Sequence, residues 1–310
     1  MTGLEKLITD YLALRRSLGY KLETNELFLH QFRRHLEQAD IPVITVDVMV
    51  QWAVAPNGAP GWHAKRLGAL RVFARWAHVF DPGIPIPPTE LLPLRATRSV
   101  AFIYSPEQVQ ALLREAARIH RYPMVAATYS TLIGLLACTG LRVGEALRLN
   151  RTDLADGVLT ITDTKFGKTR LVPLHESAAD ALADYGNVRD QVLGDIATDA
   201  LFASTTGTRL IYKNVHRRFH RLVIAAGITA QSSAARPRIH DLRHTFAVTT
   251  MLEAYRDGRN PAEVLPILST YLGHASPAST YWYLQADPQL LAAAATRLPP
   301  LMPVLRGAMS

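Results

Sequence analysis

The sequence predicts a mainly α-helical chain of two domains, on three observations. Apolar residues recur at helical spacing in successive N-terminal segments, a proline-rich stretch over 81–100 interrupts them, and one pair of short alternating segments, 158–162 and 170–174, stands among further helices. The class expected is a helical N-terminal domain followed by a larger helical domain with a small β-hairpin.

Taken in order, Leu4, Leu7, Ile8, Tyr11 and Leu12 mark a first helix, and similar patterns follow at 25–37, 46–54 and 62–78. Thr45 is placed as an N-cap before Val46, and Pro60-Gly61 opens the fourth helix after the turn at Pro56-Asn-Gly. Residues 1–80 thus read as a helical bundle. Its last helix carries His63, Lys65, Arg66, Arg71 and Arg75, several on a shared face that is either solvated or nucleic-acid-facing. Proline removes backbone donors and fixes φ, so 81–100 is expected as an extended linker outside either core. The second domain, 101–310, opens with the capping box Ser105-Pro-Glu-Gln108. Helices at 106–119 and 124–138, the hairpin, and helices near 177–185, 213–226, 241–256, 262–272 and 288–296 follow, with a tail over 287–310. There is no internal repeat.

Composition narrows the class. The net charge is +8, with 12 basic against 9 acidic side chains before residue 100 and 22 against 17 after it, so an anionic surface partner must be met by both halves. Cys138, the single cysteine, lies in an apolar run and reads as a buried inert thiol, which excludes an internal disulfide and suits a reducing compartment. No stretch reaches the ~18 apolar residues of a membrane span and the N-terminus has no apolar signal core, so a soluble cytoplasmic protein is expected.

The chemistry-bearing segments are Thr139-Gly-Leu-Arg142-Val-Gly-Glu145, Lys165-Phe-Gly-Lys-Thr-Arg-Leu-Val-Pro, His240-Asp-Leu-Arg243-His244, and Leu272-Gly-His274 with Thr280 and Tyr283 beyond it. Each has a plainer reading. Arg142 and Glu145 at i, i+3 could be a surface ion pair. His240 and His244 at i, i+4 imitate a metal pair, but no glutamate follows His240, and no metal is expected. Gly167-Lys-Thr imitates a phosphate-binding loop, yet Thr162 stands where its first glycine belongs. Lys168 rivals Lys165, and Tyr271 and Tyr281 rival Tyr283, since tyrosines in such a helix commonly serve packing.

In order and spacing, these segments over 101–285 resemble the catalytic domain of the tyrosine recombinase (phage integrase) family, and 1–80 is similar by position and class to its core-binding domain. The resemblance implies a site-specific recombinase or integrase of a bacterial mobile element, cutting DNA through a 3′-phosphotyrosine without a cofactor. It implies Tyr283 as nucleophile, Lys165 as general acid, His240 assisting proton transfer, Arg142, Arg243 and His274 on the scissile phosphate, and Glu145 orienting the arginines. Planar, permanently charged guanidiniums suit the charge that builds on the phosphate oxygens. The separation of His240 from His274 exceeds the family's, and the surplus is assigned to a longer loop near 255–261. Expected partners are duplex DNA at specific sites, clamped between 1–80 and 101–310, and further copies forming a homo-tetramer on two sites from a monomer without DNA. Lys65, Arg66, Arg71, Arg75, Arg217 and Arg218 are the candidate DNA contacts, and a nucleoid-associated location follows. The alternatives are a relaxing type IB topoisomerase, a DNA-binding partner that does not cut, and a metal hydrolase.

Overall fold

A computed structural model of the chain describes residues 2–58, 60–92, 100–119, 122–162, 169–196, 198–230, 232, 235–273, 290 and 292. The chain forms two compact units, Met1–Arg98 and Ser99–Ser310.

The first unit holds α1 (Thr2–Ser17), α2 (Glu23–Gln38), α3 (Val46–Val54) and α4 (Pro60–Ala77). Ile8, Tyr11, Phe28, Leu29, Phe32, Trp52, Leu67, Leu70 and Phe73 fill the space between them, each worth roughly 1.5–3 kcal/mol when fully buried. Thr45 caps α3 as expected, its Oγ1 accepting from Val48 N at 3.2 Å.

Two sequence expectations fail in this unit. Residues 81–92 are not a free linker: Ile84 is buried in the bundle core with Leu92 against it, and His78 Nδ1 lies 2.8 Å from Ile84 O. Arg71 supplies the physical reason, since its buried guanidinium needs acceptors and takes Pro87 O at 2.9 Å and Pro88 O at 2.6 Å. Arg66 is buried too, with its guanidinium 3.7 Å above the Trp52 ring and Nη2 donating to Trp52 O at 2.9 Å. Arg66 and Arg71 therefore brace the bundle core and leave the shared basic face read from the sequence; Lys65 and Arg75 remain exposed.

The second unit runs α5 (Pro106–Ala117), α6 (Pro123–Thr139), α7 (Val143–Arg148), β1 (Leu154–Ala155), β2 (Val158–Ile161), β3 (Arg170–Pro173), α8 (Glu176–Leu193), α9 (Tyr212–Ala225), α10 (Asp241–Arg256) and α11 (Pro261–Leu272). Ser105 caps α5 with the full reciprocal box: Gln108 N donates to Ser105 Oγ at 3.2 Å and Ser105 N to Gln108 Oε1 at 2.9 Å. The strands form an antiparallel sheet in the order β1-β2-β3, with Leu159 opposite Val172 and Ile161 opposite Arg170. β1 escaped the sequence reading because it is two residues long. It returns into β2 through Asp156 and Gly157, both at positive φ (50° and 71°), as a two-residue hairpin turn demands. Pro173 is tolerated because β3 is an edge strand.

α8 extends eight residues past its expected end at 185, through Gly186, because Tyr185, Arg189 and Leu193 find burial; tertiary packing outweighs the glycine's helix cost of about 1 kcal/mol. Phe102, Leu112, Leu132, Leu136, Leu159, Val172, Phe202 and Leu242 centre the main core, and Val248, Met251, Leu265, Leu268 and Leu272 join α10 to α11. Leu290 is buried in that second cluster. Cys138 is also corrected: it is exposed along a groove of about 560 Å³ bordered by α5, α6 and α8. Burial of the sulfur itself still holds the thiol pKa up. Among the described residues no helix is long and apolar enough to cross a membrane.

Candidate active site

Two helix ends create the site. α6 stops at Gly140 and α11 at Gly273, both left-handed (φ 60° and 68°). A Cβ at Gly140 would lie 2.5 Å from Phe246 Cδ1, and one at Gly273 would lie 2.7 Å from Arg170 Nη1, so each close approach requires glycine.

The last carbonyls of α11 have no helical partners and carry the negative end of its dipole, which favours cations there. Three guanidiniums take three successive oxygens. Arg170 Nε donates to Tyr271 O at 2.9 Å, Arg243 Nη2 to Leu272 O at 2.7 Å, and Arg142 Nη2 to Gly273 O at 3.3 Å. Arg243 Nη1 also donates to Gly140 O at 2.8 Å, tying the two helix ends together. Arg142 and Arg243, which are 101 positions apart in the sequence, are thus brought onto adjacent carbonyls.

Glu145 lies beneath them with a side chain only 3% exposed. Its Oε1 accepts from Arg142 Nη1 at 2.7 Å and Arg170 Nη1 at 3.2 Å, and its Oε2 from Arg142 N at 3.0 Å and Arg170 Nη2 at 2.7 Å. Burial pushes the carboxyl pKa up, but the Arg170 fork and Arg142 outweigh it and hold the group at about 2. The ion pair is therefore no surface pair: its stabilisation is fully present above the ordinary value of 4.5 and is lost as pH falls toward 2.

His240 caps the start of α10 and presents an exposed edge, with its ring centroid 5.2 Å from that of His244. Desolvation, followed by the positive charges of Arg243, Arg142 and Arg238, lowers its pKa to about 4, so the imidazole is neutral at pH 7. Behind it, Asp241 is fully buried and receives Arg238 Nε and Nη2, each at 3.0 Å. Tyr104 closes this layer, its OH donating to Arg238 O at 3.1 Å and its N–H to Thr245 Oγ1 at 2.9 Å.

The structure brings together Arg142, Glu145, His240 and Arg243. Lys165, Lys168, His274, Tyr281 and Tyr283 lie outside the described residues. Tyr271 is described and is a packing residue: its ring stacks on Phe246 at 5.7 Å, and burial pushes its pKa up to about 12. Arg217 and Arg218 are apart from this cluster, lining a cavity of about 220 Å³ with Arg221 and Tyr129. Arg170 was missed as a functional residue, because in the sequence it is one arginine in a short strand. The only signal was that Glu145, once buried, needs more positive charge than Arg142 alone supplies.

A helical domain thus gathers distant arginines and a neutral histidine around one helix end, a set of donors suited to an anionic group, and the comparisons give the class. The chain belongs to the phage integrase family, whose family model matches residues 103–289. It is 42% identical over 306 residues to y4rB of Sinorhizobium fredii, named as an integrase/recombinase, covering 96% of this chain and 98% of that protein. It is 30% identical over 296 residues to the tyrosine recombinase XerD of Caulobacter vibrioides, covering 93% and 92%. The fold resembles XerH in its post-cleavage complex with difH DNA (TM-score 0.64, 22% identity, 89% of this chain and 79% of that one). It also resembles a lambda integrase dimer on a COC′ core site (TM-score 0.62, 18% identity, 92% and 77%). The chain is a tyrosine-type site-specific DNA recombinase.

Proposed function

We propose that this chain cuts one strand of a specific duplex site through Tyr283 and exchanges strands within a homo-tetramer assembled on two sites. The convergence of Arg142 and Arg243 on adjacent carbonyls beside the neutral His240 carries the reading. The Tyr283 oxygen attacks the scissile phosphorus, its proton passing to His240. Arg142, Arg243 and His274 take the charge on the non-bridging oxygens. The bond from phosphorus to the 5′-oxygen breaks as that oxygen gains a proton from Lys165. The 5′-hydroxyl of a second strand then attacks the phosphotyrosine and releases Tyr283, so no external energy source is needed. Residues 1–80 and 101–310 clamp the duplex, with Lys65, Arg75, Arg217 and Arg218 on its backbone, and the protein acts in the cytoplasm on the nucleoid.

The depressed pKa of His240 gives the site a built-in order. Desolvation is the larger cause of the depression, and a phosphate brought against Arg142 and Arg243 cancels the smaller share that their charges supply, so seated DNA makes the ring a better base. In the free protein the His240 ring resonances are expected to hold constant from pH 8 to 5.5 and titrate near 4. With DNA bound to the Tyr283→Phe variant the midpoint should rise. A free-protein midpoint at the ordinary 6.5 would show that neither desolvation nor the arginines act on this ring. Because the lowered pKa disfavours folding of the protonated form, this group withdraws stability as pH drops from 6.5 toward 4.

The deciding experiment traps covalent protein on nicked duplex fragments and maps the site from the recovered DNA. Adduct formation is expected to survive excess chelator, since the arginines and Lys165 supply what a divalent ion supplies in nucleases. Loss on chelation with restoration by zinc or magnesium would move His240 and His244 into a metal site. Relaxation of plasmids lacking the mapped site would favour the topoisomerase reading instead.

A further inference from the structure

We propose that Arg170 is a positioning residue for strand cleavage: it clasps the end of α11 to Glu145 and so sets the phosphate-binding arginines in place. Its side chain is 11% exposed and makes three kinds of contact at once. The fork meets both oxygens of Glu145, Nε holds Tyr271 O, and the guanidinium lies so close to Gly273 that a Cβ there would fall 2.7 Å from Nη1. It begins β3, so it also fixes the strand that follows the Lys165 segment, in register with Ile161 on β2.

The arrangement divides labour among the three guanidiniums on α11. Arg142 is partly exposed at 34% and its bond to Gly273 O is long, so a phosphate can compete for it at little cost. Arg170 is committed to a buried carboxylate and a part-buried carbonyl, and giving up the carboxylate would strand an uncompensated charge. It therefore stays while the substrate exchanges contacts with its neighbour, and the helix end does not drift when DNA enters. Lysine cannot replace it, because one ammonium cannot span both carboxylate oxygens and the carbonyl in this fixed geometry.

This inference rests on the recombinase reading for its catalytic consequence, but its structural half is testable without DNA. Amide hydrogen exchange on the full-length free protein is compared for the parent, Arg170→Ala, Arg170→Lys and, as a control, Arg189→Ala, which removes a buried arginine from Leu201 O in the same unit. Both Arg170 variants are expected to speed exchange around 140–146 and 268–273 by about tenfold, the scale of losing one or two charge-assisted bonds. The control should leave these segments protected. Single-turnover cleavage of the mapped nicked site is then measured beside DNA affinity. Arg170→Ala and Arg170→Lys should cut roughly 10²-fold more slowly at near-parental affinity, the cost of about 1 Å of misplacement. Adding Glu145→Gln to Arg170→Ala should slow cutting little further, because both substitutions break one clasp. Unchanged exchange in both segments, or parental cutting by Arg170→Ala, would overturn the proposal. So would Arg170→Lys cutting as the parent does, or additive losses in the double variant. A parent protein that forms no adduct would instead overturn the assignment of Tyr283, leaving the exchange comparison to decide the clasp.

Discussion

Tyr283→Phe is expected to abolish the covalent protein–DNA adduct, while Tyr281→Phe retains it. The substitution removes one oxygen and keeps the ring, so packing survives and only the attacking atom is lost. Position selects Tyr283 among the nearby tyrosines: it stands nine residues after His274. The structure narrows the field by removing Tyr271, whose ring is stacked on Phe246 and whose hydroxyl is held to a pKa of about 12 by burial. Denaturing gels of protein trapped on a nicked duplex read the result directly. DNA binding should be unaffected, because the proposed clamp lies on other residues. An adduct formed at full yield by Tyr283→Phe would transfer the role to Tyr281.

Arg243→Ala should give the next largest loss, roughly 10²–10³-fold in cleavage for one missing transition-state donor. Here the structure adds a consequence that the family resemblance does not contain. Arg243 is almost fully buried and joins Gly140 O to Leu272 O, so its removal also loosens the junction of α6 with α11. Two buried carbonyls lose their donors at about 1–3 kcal/mol each, and the melting temperature should fall along with activity. Arg142→Ala should separate the two effects, since that side chain is partly exposed and Arg170 still neutralises Glu145. Its cleavage should fall by a similar ~10²–10³-fold with a smaller melting shift. Differential scanning fluorimetry beside single-turnover cleavage checks both. Equal cutting by the parent and Arg243→Ala would remove that arginine from the scissile phosphate.

Much of the helical fold was legible because its signals are local. The capping box at Ser105, the Thr45 cap and the apolar spacing of α2, α3, α10 and α11 depend on residues a few positions apart. The misreadings occurred where a distant partner decides. Gly186 looks like a helix stop until Arg189 and Leu193 are seen to be buried. The prolines of 81–92 look like a linker until Arg71 is seen to need their carbonyls. Lys65, Arg66, Arg71 and Arg75 look equivalent on paper, yet two of them brace the core and two face solvent.

The family and the chemical inventory are legible in the linear chain, because motif residues and their order are written along it: Arg142, Glu145, His240 and Arg243 stand at recognisable offsets. How those groups are charged and held is set by the folded arrangement. That Glu145 is ionised down to about pH 2, that His240 is neutral at pH 7, and that Arg170 belongs with them all follow from burial and from guanidiniums up to 101 positions away. Electrostatic interaction and desolvation act through space over a few ångströms, and a linear sequence carries no record of that distance until two glycine-capped helix ends have brought its segments together.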